Sequence, residues 1–298
     1  MSLTQRGSTG LIGIGLMGQV IAGRLLDAGW EVVGWDVAPP QNDALRRLGG
    51  MVARDACDVL IRCERIILSL PTHESVAHVV DETSTAQRAG QILIDTSTGD
   101  PAAAVVLGES LATRDIEYLD ATVSGSSAQL RERKAVFLVG ATRAGFAACR
   151  DLLEALADKV YHTGPVGTGA RMKLVTNLVL GLNRAALAEG LCFARTLGLD
   201  LNQALQMLRE SMAYSRIMDT KGEKMLRGDF TPQARLSQHL KDVRLMLRAA
   251  ESSQTALPLT ETHRQLLERA ESLGLGELDN SAIIQAIAEF SATHESEP

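Results

Sequence analysis

Lys173 and Asn177 stand inside residues 164–198, GPVGTGARMKLVTNLVLGLNRAALAEGLCFARTLG, a run with apolar residues on nearly every side. They are four apart, so a helix puts both on one face. An ammonium stranded among apolar groups is costly. Two readings stand open: a lysine at the rim of the core with its amine in water, or a catalytic lysine with an orienting amide one turn away. Desolvation lowers a lysine's pKa toward neutrality, which suits a group that exchanges protons. A second candidate is Ser124-Gly125-Ser126, where hydroxyls and bare backbone offer donors to a carboxylate; the alternative is a polar loop after a strand. A third is GLIGIGLMG, residues 10–18, with Gly13, Gly15 and Gly18 spaced GxGxxG and Asp36 following at the end of EVVGWD.

The glycine run has the context that gives it meaning. An apolar strand (11–14) leads into it, a helix (20–28) leaves it, and a second strand ends on Asp36. Such a turn, formed by Gly13, Ile14, Gly15, Leu16, Met17 and Gly18, brings backbone and a helix N-terminus to a pyrophosphate. Asp36 would accept from the adenosine ribose hydroxyls. A carboxylate there repels a 2′-phosphate, so NAD is preferred and NADP remains possible.

Alternation continues beyond. Strands are predicted at 65–70, 92–95, 116–119, 135–139 and 159–161, with helices at 42–48, 74–80, 101–113 and 142–157. This argues a parallel sheet covered on both faces. Ligands gather beyond the carboxyl ends of such strands, which makes neighbours of the glycine loop, Leu70-Pro71-Thr72, Ser97-Thr98 and 122–127. After Gly164 no strand is evident. Helices are predicted at 168–197, 201–213, 216–226, 234–252, 259–273 and 280–295. The first is apolar on nearly every side and is read as buried. The domains are therefore 1–163, α/β, and 164–298, all-α.

The 298 residues leave room for two domains. Aromatics at 3% leave packing to aliphatic side chains and supply no stacking platform for nucleic acid. A net charge of −6 without a basic tract points away from nucleic acid and anionic membranes. Cys57, Cys63, Cys149 and Cys192 form no CxxC pair, and the histidines complete no metal-ligand spacing, so no metal is expected. With no apolar leader and no run long enough to span a bilayer, a soluble cytoplasmic protein is expected.

Four blocks together resemble the β-hydroxyacid dehydrogenase family, the relatives of 3-hydroxyisobutyrate dehydrogenase, tartronate semialdehyde reductase (2-hydroxy-3-oxopropionate reductase) and, more distantly, 6-phosphogluconate dehydrogenase. They are GLIGIGLMGQVIAGRLL, DATVSGSSAQLRERKAVFLVG, GPVGTGARMKLVTN, and Phe230 followed by LSQHLKDVRL. The likeness covers nearly the whole chain, and its specificity lies in block order and in GxGxxxKxxxN. It implies a doubly wound, mainly parallel Rossmann domain and an all-α domain of the 6-phosphogluconate dehydrogenase-like type, with the active site in the cleft between them. It implies an NAD(P)-dependent oxidoreductase of a small β-hydroxy acid or its semialdehyde. Lys173 would be the general acid/base and Asn177 a substrate ligand. Ser124, Gly125 and Ser126 would hold the substrate carboxylate, and Leu70, Pro71 and Thr98 would line the cofactor channel. Lys241 would lie near the nicotinamide with Asp242 close by; read alone, that pair could be a solvated helix pair. Of the arginines, Arg216 reads as surface, while Arg171 and Arg184 are either anion binders or surface charges.

This chain departs from the family at Ser126, usually glycine, at Thr122, usually proline, and at Arg133-Lys134, so a larger or more anionic substrate is open. An imine reductase of similar architecture would usually carry another acid at Lys173. A non-catalytic dinucleotide-binding protein would be expected to lose Lys173 or Asn177. The apolar helical domain suggests a homodimer or homotetramer.

Overall fold

The computed structural model describes residues 6–294. The chain packs as two compact units that divide after Lys173. The first opens with β1 (Arg6–Ile12), α1 (Leu16–Asp27), β2 (Trp30–Trp35), α2 (Pro39–Leu48) and β3 (Met51–Val52). It continues with α3 (Ala56–Arg62), β4 (Arg65–Leu68), α4 (His73–Glu82), β5 (Ile92–Asp95) and α5 (Pro101–Ala112). It closes with β6 (Glu117–Ser124), α6 (Ser127–Arg131), β7 (Val136–Gly140), α7 (Arg143–Leu156) and β8 (Lys159–Gly164). One sheet runs in the order β3-β2-β1-β4-β5-β6-β7-β8.

Both faces of the sheet are buried, which is why its strands read as unbroken apolar runs. Along β4, Ile67 joins Leu11, Ile94 and Leu119 in one core, while Ile66 and Leu68 join Val59, Val76 and Leu93 in the other. Each such side chain stabilises the fold by roughly 1.5–3 kcal/mol. Helix starts follow side-chain chemistry: Asp100, before Pro101, accepts from the Ala102 N–H, and Thr142 accepts from Gly145.

The sheet is mainly parallel, as expected: every strand pair is parallel except β6 and β7, which pair antiparallel with Asp120 opposite Gly140. Only residues 125–135 join them, short of the dozen or more that a parallel crossover requires. β6 also extends to Ser124, so 122–124 belong to a strand and not to a loop. The ladder with β7 pairs Thr122 with Leu138 and Ser124 with Val136, and along it Leu119, Ala121 and Val123 join one core while Asp120, Thr122 and Ser124 alternate with them.

The second unit is helical. α8 (Thr168–Thr196) enters it from the first, followed by α9 (Leu201–Glu210), α10 (Ile217–Arg227), α11 (Leu236–Ser252), α12 (Pro258–Ser272), a 3₁₀ turn (Asn280–Ala282) and α13 (Ile283–His294). Its core gathers Leu187, Leu191, Leu205, Met218, Leu240, Val243, Leu267 and Ile283. α8 is not buried all round: Val175 and Phe193 are 57% and 63% exposed. The Leu174, Leu187 and Leu191 flank takes the core, and the remaining helices of the unit do not cover the opposite side.

Candidate active site

The glycine loop leaves β1 and turns sharply into α1. Gly13 adopts φ +93°, and a Cβ on it would collide with the Ser69 carbonyl; one on Gly18 would collide with the Gly13 carbonyl. Only glycine fits both positions. Gly15 precedes the helix and no side chain caps it, which leaves first-turn N–H groups of α1 for an external anion. Leu16 is exposed on that turn, whereas Met17 packs against the core.

Asp36 closes the loop from the end of β2. Its Oδ2 accepts from the Ile14 N–H at 2.6 Å and its Oδ1 from Ala38 at 2.8 Å. Asn42 brackets the same residue, accepting from its N–H and donating to its carbonyl. Each carboxylate oxygen has a second lone pair, so Asp36 keeps acceptor capacity for a ribose. Close backbone approach, open helix amides and a fixed carboxylate together fit a dinucleotide.

The neighbouring strand ends are tied to one another. The Leu70 N–H donates to Ser97 Oγ at 3.0 Å, joining the segments after β4 and β5. Pro71 follows, and Thr72 caps α4 through the Ser75 N–H. Thr98 is half-buried just past Ser97.

Beside these strand ends lie groups the sequence reading did not single out. Asp95 is buried, accepting from the Ser97 N–H at 2.8 Å and the Tyr118 hydroxyl at 2.7 Å. Burial raises its pKa against those bonds, and burial likewise holds the Tyr118 phenol well above its ordinary range. Asp120, also buried, is pushed up to about 6 by burial. The available signal was an acid ending an apolar run in ILID and YLD, where a buried carboxylate must find donors.

Ser124 ends β6 and Gly125 turns with φ +149°. Ser126 starts α6 with a capping box: its N–H donates to Gln129 Oε1 at 2.8 Å and its Oγ accepts from the Gln129 N–H at 3.2 Å. The extra hydroxyl therefore has a local task. Arg133 is likewise occupied, gripping Asp158 and the carbonyls of Glu154 and Ala155.

Lys173 is buried, with 8% of its surface exposed. Asn177, one turn further along α8, donates its Nδ2 to Asp242 Oδ2 on α11 at 3.1 Å. Asp242 is buried, so it is not half of a solvated pair; Lys241 beside it is half-buried. Further down α8, a Cβ on Gly181 would press on the His239 and His263 rings. Arg184 is 1% exposed, which rules out a surface role, while Arg171 and Arg216 are exposed. Burial lowers the Arg184 pKa to about 10 against the pull of Asp279 and Asp242, and burial drives His263 down to about 4. Of this strip the sequence singled out Arg184 but not His239 and His263, which sit in ordinary amphipathic helices.

The pattern of the NAD-binding domain of 6-phosphogluconate dehydrogenase matches residues 8–164, and that of the NAD-binding region of NADP-dependent 3-hydroxyisobutyrate dehydrogenase matches 167–287. 2-(Hydroxymethyl)glutarate dehydrogenase of Eubacterium barkeri is 31% identical over 280 residues, 93% of each chain. 2-Hydroxy-3-oxopropionate reductase of Escherichia coli is 30% identical over 288 residues, 96% of this chain and 98% of that one. The structure of Mycobacterium tuberculosis 3-hydroxyisobutyrate dehydrogenase with L-serine aligns with a TM-score of 0.87 at 25% identity, covering 94% of this chain and 98% of that one. With family matches from residue 8 to residue 287 and a loop shaped for a dinucleotide, the chain belongs to the β-hydroxyacid dehydrogenase family and is an NAD(P)-dependent oxidoreductase of hydroxy acids.

Proposed function

We propose that the protein moves a hydride between NAD and a small β-hydroxy acid, or its semialdehyde, with Lys173 exchanging the proton of the reacting hydroxyl. Nicotinamide, when bound, supplies the hydride acceptor or donor. In oxidation the neutral Lys173 amine takes the hydroxyl proton as hydride leaves carbon; in reduction the ammonium returns it. Asn177 hydrogen-bonds the substrate, with its amide oriented by Asp242. The Ser124 hydroxyl, the Gly125 N–H and the Ser126 hydroxyl hold the carboxylate; the Ser126 N–H is already given to Gln129. Leu70, Pro71 and Thr98 line the cofactor channel, and Lys241 serves the nicotinamide end.

One observation supports this reading above the others: an almost wholly buried lysine, Lys173, with Asn177 on the next turn of the same helix. The test is Lys173→Ala, assayed with 3-hydroxyisobutyrate, glycerate, tartronate semialdehyde, threonate and succinic semialdehyde. Turnover on the best substrate should fall about 10²–10⁴-fold, while NADH binding, followed by fluorescence, stays near wild type. Wild-type turnover in the variant refutes the role.

The preference for NAD rests on Asp36. No helix among the described residues is long and apolar enough to cross a membrane; we read the protein as a cytoplasmic homodimer or homotetramer that buries the exposed flank of α8.

A further inference from the structure

We propose that Asp120 is a positioning residue for Lys173: its carboxylate, delivered by β6, fixes the first turn of α8 and so sets where the amine is presented. The inference rests on the reading of Lys173 as the proton-exchanging group.

A helix start leaves N–H groups that need acceptors. The usual remedy pairs a side chain at the residue before the helix with the third helical N–H, and the third side chain with the N–H before the helix. In α8 those positions are Gly167 and Ala170, and neither has a side chain able to do this. Asp120 performs both halves from a distant strand. Its Oδ1 accepts from the Gly167 N–H at 2.9 Å and its Oδ2 from the Ala170 N–H at 2.7 Å. Thr122, two residues along the same strand, donates Oγ1 to the Gly169 carbonyl at 3.2 Å. The contact requires bare backbone on both sides. A Cβ on Gly140, opposite Asp120 in the ladder, would collide with Oδ1, and one on Gly169 would collide with the Asp120 carbonyl. Lys173 lies three residues beyond Ala170, on the next turn, so a shift of this anchor is a shift of the amine.

The grip is strongest when Asp120 is ionised, because a carboxylate suits the positive end of a helix. Protonation turns one oxygen into a donor facing amide N–H groups. Burial pushes the group up to about 6, with the Ala170 and Gly167 amides opposing. The titratable neighbours are Asp95 on β5, which also pushes it up, and Tyr118 on β6, whose hydroxyl donates to Asp95. β7 presents Gly140 there, and α8 presents its first-turn amides.

Turnover in the reduction direction is the informative measurement, since Lys173 acts there as the acid and low pH keeps it protonated. From pH 8 to 5, wild-type kcat should fall with a midpoint near 6, with little change in the KM for NADH. Asp120→Asn keeps the shape but turns an NH2 toward one of the two amides. Its kcat should be about ten- to a hundredfold lower at pH 7.5 and flat across the range. Retention of the acid limb in Asp120→Asn, at any level of kcat, overturns the inference. Should that variant not fold, wild-type hydrogen exchange over residues 166–172 decides: protection must drop as pH falls through 6, and constant protection overturns it. Lys173→Ala with full turnover would instead remove the reading beneath, whatever Asp120 does.

Discussion

Among single residues, Asp36 and Asp120 show a carboxylate's two uses. Asp36 spends one lone pair of each oxygen on the loop and keeps the rest for a ligand. Asp36→Arg removes the Ile14 bond and the charge that repels a 2′-phosphate. The ratio of kcat/KM for NAD over NADP should fall about ten- to a hundredfold, as expected for a charged hydrogen bond worth roughly 1.5–3 kcal/mol; an unchanged ratio would mean that Asp36 does not read the ribose. Asp120 carries a stability cost. Its folded pKa of about 6 lies above the ordinary 3.8, so the native state holds the proton more tightly than the unfolded chain. Its contribution therefore rises as pH falls from about 6 toward 4, and keeping it ionised at neutral pH costs about 3 kcal/mol. Urea unfolding should find wild type gaining on Asp120→Asn between pH 7 and pH 5; a constant difference would deny the shift.

Between elements, the buried pair of Lys221 on α10 and Asp279 before the 3₁₀ turn does the joining, at 2.8 Å. Burial alone would raise Asp279, but Lys221, the Gln233 N–H and the Ser281 hydroxyl bring it down to about 2. Its contribution is thus present above the ordinary carboxylate range and is lost as pH falls toward 2. Lys221→Met leaves that carboxylate buried beside a thioether, which should cost about 3–5 kcal/mol, read as a lower urea midpoint for the helical unit. An unmoved midpoint would show that the amides alone suffice.

Elements of this kind differ in how far the sequence betrays them. The glycine turn was legible because strand, glycines, helix and acid each have a local cause and arrive in order. Most helices of the second unit were legible from apolar spacing. The outer half of β6 was not, because Ala121 and Val123 alternate with Thr122 and Ser124 over too few residues to stand apart from a polar loop. Lys173 stood out as a charge in an apolar run. Asp120 did not, because its partners are main-chain amides of α8, 47 and 50 residues away, and amides leave no mark in a sequence.

At the scale of the whole molecule, the outer flank of α8 carries several exposed apolar side chains. Val175 and Phe193 are five turns apart on one line of the helix, and Val179 is exposed beside it. Phe193→Glu or Val179→Glu should shift sedimentation from dimer or tetramer to monomer; an unchanged profile would move the interface elsewhere. α8 runs 29 residues, about 43 Å at the usual rise, without a break. On the assembly reading, one rod is both the girder by which copies clasp each other and the mount for the reacting amine. Loosening the clasp by dilution would then let the mount tremble, and activity per molecule would sink before any molecule unfolds.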